Sequence, residues 1–178
     1  FLVTLISTIS GQLRPSEWYR HTSQACHFTI LFPGTPTEEI KSRPELKGLS
    51  AHIISYLDPS VTIVDEQHFY YGVSFIEFPL SVIHSDSITK IPEFFRGLIN
   101  GLAGNGRGKL LSEISIEKDG YPGREIQVSI LKGTIISTSR LYLINNKSFV
   151  ISVLTPAQQK NSDLIARFFN SFALLKEE

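Results

Sequence analysis

Methionine is missing from all 178 residues, and cysteine occurs only once. A translated reading frame begins with Met, so the expectation is a chain that has been processed or cut from a longer one. A lone cysteine excludes an intramolecular disulfide and any multi-cysteine metal site. Net charge is also missing: 17 Lys and Arg balance 17 Asp and Glu. Without a basic excess there is no long-range attraction for a phosphate backbone, which argues against bulk DNA or RNA binding. No apolar run approaches the roughly 20 residues that a membrane-spanning helix needs. What is present is a 42% hydrophobic composition on a chain of ordinary domain length, which should bury about 70% of its unfolded surface. Disorder is not the expectation.

The one apolar stretch of note is Phe1 to Ile9, followed by Ser10-Gly11-Gln12. It has the apolar centre and the small residues (Thr8, Ser10) of a secretory signal, without the basic start. The same residues, rich in Val, Ile and Thr, also suit a strand. The expectation taken forward is a signal remnant over residues 1–12, one domain over 13–178, and an extracytoplasmic (periplasmic or secreted) location. Cys26 lies too far past the apolar run for a lipidation site.

From His27 onward the pattern alternates strands with turn residues. His27 to Phe32 is apolar at Phe28, Ile30 and Phe32 and ends at Pro33-Gly34, a strand running into a turn. Residues 33–48 read as a loop with one extended piece. Leu49 to Leu57 and His68 to Phe78 are strand-like. Between Ser85 and Leu102 the period changes: Ile88, Ile91, Phe94, Phe95, Leu98, Ile99 and Leu102 form a helical stripe, with Pro92 placing the start near Ile91. Four strand-like runs follow, over residues 110–118, 124–132, 134–144 and 148–154, joined by short turn sequences that imply antiparallel hairpins. Ser162 or Asn161 caps a last helix striped by Leu164, Ile165, Phe168, Phe169 and Phe172. Strands in runs with segregated helices define an α+β domain. The later strands are apolar on both faces, which calls for helices on both sides of the sheet.

Chemistry-bearing patterns are few. Gly101 to Lys109 is glycine-rich, but it lacks the phosphate-loop spacing and runs from helix to strand rather than strand to helix. It reads as helix termination, with weak anion contact through Arg107 and Lys109 left open. The five histidines (His21, His27, His52, His68, His84) show no metal-ligand spacing. Cys26 and His27 are adjacent and so point to opposite faces of a strand, which leaves the thiol unactivated. No nucleophile elbow occurs. Lys109, Arg124, Lys132 and Arg140 fall on neighbouring strands and could form a basic patch, better suited to a protein partner than to nucleic acid.

Several pieces in order carry a resemblance: Trp18-Tyr19 before a strand ending Phe32 to Pro36 (FPGTP), Tyr121 to Glu125 (YPGRE), Arg140 to Leu143 (RLYL) and Arg167 to Phe172 (RFFNSF). Together they resemble the PsbP/Mog-like superfamily, particularly its small bacterial members, over nearly the whole chain after Pro15. The resemblance implies a single antiparallel sheet of about six or seven strands flanked by helices. It also implies an accessory or binding role without catalysis, and it brings no catalytic motif or cofactor. The leading expectation is therefore an exported, non-enzymatic, protein-binding domain, with Arg107, Lys109, Arg124 and Arg140 as candidate partner-binding residues. An alternative is a small-molecule or lipid carrier whose pocket between helix and sheet is lined by Phe69, Tyr71, Phe94, Phe95 and Tyr142. A third is a hydrolase built from His52, His68, Asp86 and Glu113.

Overall fold

A computed structural model describes residues 18–58, 70–104 and 108–176. The apolar run Phe1 to Ile9, and with it the signal-remnant expectation, lies outside the described residues, as do His68, Phe69 and Arg107. Ten strands and two helices follow in the order β1 (Tyr19–Ser23), β2 (Phe28–Phe32), β3 (Thr37–Arg43), β4 (Leu49–Leu57), β5 (Tyr70–Glu77), α1 (Ile91–Leu102), β6 (Lys109–Lys118), β7 (Tyr121–Ile130), β8 (Ile135–Ile144), β9 (Lys147–Pro156), α2 (Asp163–Asn170) and β10 (Ala173–Leu174).

Seven of these strands form one sheet in the order β3-β4-β5-β9-β8-β7-β6, every neighbouring pair antiparallel. The expected strand number holds, but the expectation of a single sheet does not. β2 leaves the large sheet and is paired on one side by β1 and on the other by β10. Its inward residues Phe28, Ile30 and Phe32 are completely buried, so β2 is the centre of a three-stranded cover. The sequence hid this because β1 (YRHTS) and β10, two residues long, carry no apolar alternation to mark them as strands.

Two apolar clusters make the core, and they draw on alternate residues of the same strands. On β8, Leu141 and Leu143 join Ile126 and Val128 of β7 and meet Phe95 and Ile99 of α1. Tyr142 and Ile144 join Phe75, Phe149, Ile151 and Val153 and meet Phe28, Ile30, Phe32, Phe168, Phe169 and Phe172. Residues i and i+1 of a strand point to opposite faces, so one hydrophobic run feeds both clusters. The second cluster is mostly aromatic: Phe168 lies 5.1 Å from Tyr71 and 5.3 Å from Phe32, ring centre to ring centre. α2 begins where the Leu164 amide donates to Ser162 Oγ at 3.3 Å, the cap read from sequence. It is tied to β2 where the Leu31 amide donates to Ser171 Oγ at 2.9 Å. α1 begins at Ile91 with Pro92 in its first turn.

The β6–β7 hairpin corrects one local reading. The second strand of this pair was expected from residue 124, but the turn is Asp119-Gly120 alone, with φ of 52° and 84°, the two positive values that tight hairpins favour, and β7 starts at Tyr121. Gly123 is a strand residue of β7. A β-carbon there would lie 2.7 Å from the Leu141 carbonyl oxygen, so glycine serves close strand approach rather than chain reversal.

Candidate functional site

The basic residues singled out in the sequence do not form one patch. Arg124 reaches from β7 toward α1, its guanidinium 5.0 Å from the Phe95 ring centre and its Nε 3.3 Å from Glu113 of β6. Arg140 of β8 reaches toward α2: Nε pairs with Glu125 Oε2 at 2.7 Å, one terminal nitrogen donates to Asn170 Oδ1 at 3.1 Å, and the plane lies 4.9 Å from the Phe169 ring centre. Each arginine is thus engaged by a carboxylate and an aromatic ring, and the two serve different core clusters. Lys109 is exposed at the start of β6.

The described members of the hydrolase set, His52, Asp86 and Glu113, are dispersed. Glu113 is held by Arg124, and Asp86 stands 3.4 Å from His84 Nδ1. His52, on β4, packs edge-on against Phe75. β4 and β6 are five strand spacings apart, about 24 Å, so His52 and Glu113 share no cleft. Among the described residues no group of three or more His, Cys, Asp or Glu is placed to hold a metal ion. Cys26 is buried, and that burial pushes its thiol up from the usual range, with a hydrogen bond to Ser23 opposing the shift. A raised thiol is the reverse of what a nucleophile needs. The carrier lining is divided as well. Tyr71 and Tyr142 lie in the aromatic cluster, Phe95 in the other, and Phe94 borders a groove beside α1. Trp18 is half-buried, edge-on to Tyr71 and covered by Arg167 at 4.7 Å, so it caps the core.

The feature that sequence reasoning passed over is an edge. β6 is the last strand of the seven and pairs only with β7 among the described residues. It is ten residues long (KLLSEISIEK) and open to solvent along most of its length. Three of its four large apolar side chains stay in water, Leu110 at 40% exposed, Leu111 at 47% and Ile114 at 54%, while Ile116 packs against the aromatic cluster. An edge strand offers a row of unpaired amides and carbonyls, and natural sheets usually protect such rows with charge, proline or bulges. The one irregularity in β6 lies between Leu110 and Ser112, leaving residues 112–118 in regular register. The signal was present in the sequence as the strand that opens a hairpin series, with Leu110, Leu111, Ile114 and Ile116 along it. Only topology shows that no further strand of the described chain lies beyond it.

No helix among the described residues is long and apolar enough to cross a membrane. No family model matches the sequence, and no curated protein matches it. Among solved structures, the chain is similar to cyanobacterial PsbP (CyanoP) from Synechocystis sp. PCC 6803, determined in solution. The identity is 12% and the TM-score 0.49, with 92% of this chain and 96% of that chain covered. At this level of similarity nothing passes from that protein to this chain.

Proposed function

We propose that this chain is a non-catalytic accessory domain of the periplasm or extracellular space that binds another protein by accepting an extended segment along β6. The observation that carries the reading is the β6 edge: long, with Leu110, Leu111 and Ile114 exposed, and without a strand on its outer side among the described residues. Strand addition draws its affinity from main-chain hydrogen bonds, and its selectivity from side chains flanking the new strand. Leu111 and Ile114 are placed to supply that selectivity. The engagement of Glu113, Arg124, Glu125 and Arg140 with one another and with aromatic rings supports a structural use of these charges. The sequence-derived partner set is accordingly narrowed to Lys109, which begins β6 itself. Residues 1–12 are read as the signal remnant and 13–178 as the domain. The two core clusters, one fed by α1 and the other by α2, support a helix–sheet–helix layering.

Affinity capture from an envelope extract of the source organism tests the reading. The intact chain is expected to retain one reproducible protein, and the Ile114→Lys variant to lose at least nine-tenths of it. Equal capture by the variant, or no reproducible protein at all, would overturn it.

A further inference from the structure

The β6 edge also fits a second copy of the same chain, an inference that rests on the reading of β6 as a strand acceptor. β6 and β7 are joined by the two-residue turn Asp119-Gly120, and Lys118 pairs with Tyr121 across it. A tight turn of this kind closes with a hydrogen bond between its flanking residues, and bonding alternates along an antiparallel pair. The amides and carbonyls of Ser112, Ile114 and Ile116 therefore point into β7. Those of Glu113, Ser115 and Glu117 point out from the edge of the sheet, and a strand added there must bond to them.

Two copies of β6 meeting antiparallel about a two-fold axis must accordingly set odd-numbered residues opposite odd-numbered ones. Three centres do so within the regular register of residues 112–118; centres further along run into the irregularity beside Ser112 or into the turn. Centred on Glu113, the two Glu113 carboxylates face each other. Centred on Ser115, Glu113 of each copy faces Glu117 of the other. Like charges directly opposite destabilise a strand pair. Centred on Ile114, the two Ile114 side chains cover each other, Glu113 faces Ser115 and Ser112 faces Ile116. No like charges are opposed there. Ile114 is exposed in the single chain, and its self-pairing is of the non-bonded kind, in which facing side chains come closest.

We propose that β6 pairs in this Ile114-centred register with β6 of a second copy, forming a symmetric dimer that covers the edge until another protein displaces the copy. Sedimentation velocity on the purified full chain, with no extract present, should show a monomer–dimer equilibrium that shifts with concentration. Ile114→Lys sets two ammonium groups face to face and should weaken the dimer at least tenfold, whereas Ile40→Lys on β3 should change it by less than twofold.

Mild oxidation of cysteine variants reads the register. Facing residues of a non-bonded pair have Cα atoms about 4.5 Å apart, within the span of about 4.4–6.8 Å that a disulfide bridges, so Ile114→Cys should form a covalent dimer. Residues 113 and 115 each stand roughly 8 Å from their own copies, the sum of two residues of rise and one strand spacing taken at right angles. Glu113→Cys and Ser115→Cys should therefore give at most a tenth of that yield, and the unsubstituted chain none, because Cys26 is buried. Locked by its disulfide, Ile114→Cys should capture at most a tenth of the extract protein that its reduced form retains. A dominant covalent dimer from Glu113→Cys or Ser115→Cys, a chain that stays monomeric, or equal capture by the locked and reduced forms would overturn the proposal. The two readings fail separately. A monomeric chain whose capture is abolished by Ile114→Lys keeps the strand acceptor and loses the self-pairing, and a dimer that captures nothing keeps the self-pairing and loses the second protein.

Discussion

The two edges of the large sheet are built differently although they close the same seven strands. β3 (TEEIKSR) is charged at four of its seven positions, and three of those charges are already tied: Lys41 to Glu39 at 2.7 Å, and Glu38 to His21 Nε2 at 2.9 Å. The second contact joins the edge to β1 of the small sheet, so β3 is both charged and leaned upon. β6 has apolar residues at four of its ten positions against one of seven in β3; its four charged residues include Lys109 and Lys118 at the two ends, and its central carboxylate, Glu113, is turned onto Arg124 of the adjacent strand. Charge along an edge desolvates poorly and resists a new strand, whereas an apolar edge gains by covering itself. One edge is closed by its own chemistry and the other is left able to pair.

Four experiments would break or sharpen this contrast. The largest effect should come from what both edges share. Phe168 is completely buried between Phe32 and Tyr71, so Phe168→Ala should cost about 3–5 kcal/mol, read as a lower urea midpoint, with both edges lost together. The next separates them. Ile114→Lys on β6 should weaken partner binding at least tenfold, about 1.4 kcal/mol, while Ile40→Lys on β3, where Ile40 is 66% exposed, should change it by less than twofold in a binding titration. A third loosens only the β6 hairpin: Gly120 has φ of 84°, so Gly120→Ala should destabilise by about 1 kcal/mol in thermal melts without touching β3.

The smallest effect at neutral pH is electrostatic and lies in the core rather than at either edge. Burial raises the phenols of Tyr70, Tyr71 and Tyr142 and the thiol of Cys26. These groups stay protonated in the fold after their unfolded counterparts have ionised, so the unfolded state binds fewer protons and stability falls as pH rises. Urea midpoints should be flat from pH 6 to about pH 8 and decline through the ordinary thiol and phenol ranges, about pH 8.5 to 10 and beyond. Partner binding at β6 should not change between pH 6 and 8.

Much of this fold was legible in the sequence because its signals are local. The α2 stripe, the Ser162 cap, the start of α1 beside Pro92 and the four consecutive hairpin strands all follow from periodicity and turn chemistry. The small sheet was not legible, since β1 and β10 are held by their pairing with β2 and not by any pattern of their own. Neither was the fate of the arginines. Arg124 and Arg140 occupy neighbouring strands, yet their side chains go to different clusters because strand registry pairs Glu125 with Arg140 and Arg124 with Leu141. The β6 edge needed topology as well: an apolar strand reads the same whether it is central or last.

Site-specific photo-crosslinking tests the central claim most directly. A photoreactive amino acid placed at Ile114, and in a second protein at Ile40, is illuminated in envelope extract. The account predicts a discrete protein adduct from the β6 position and none from the β3 position. Adducts of equal yield from both positions, or an adduct from β3 alone, would contradict it.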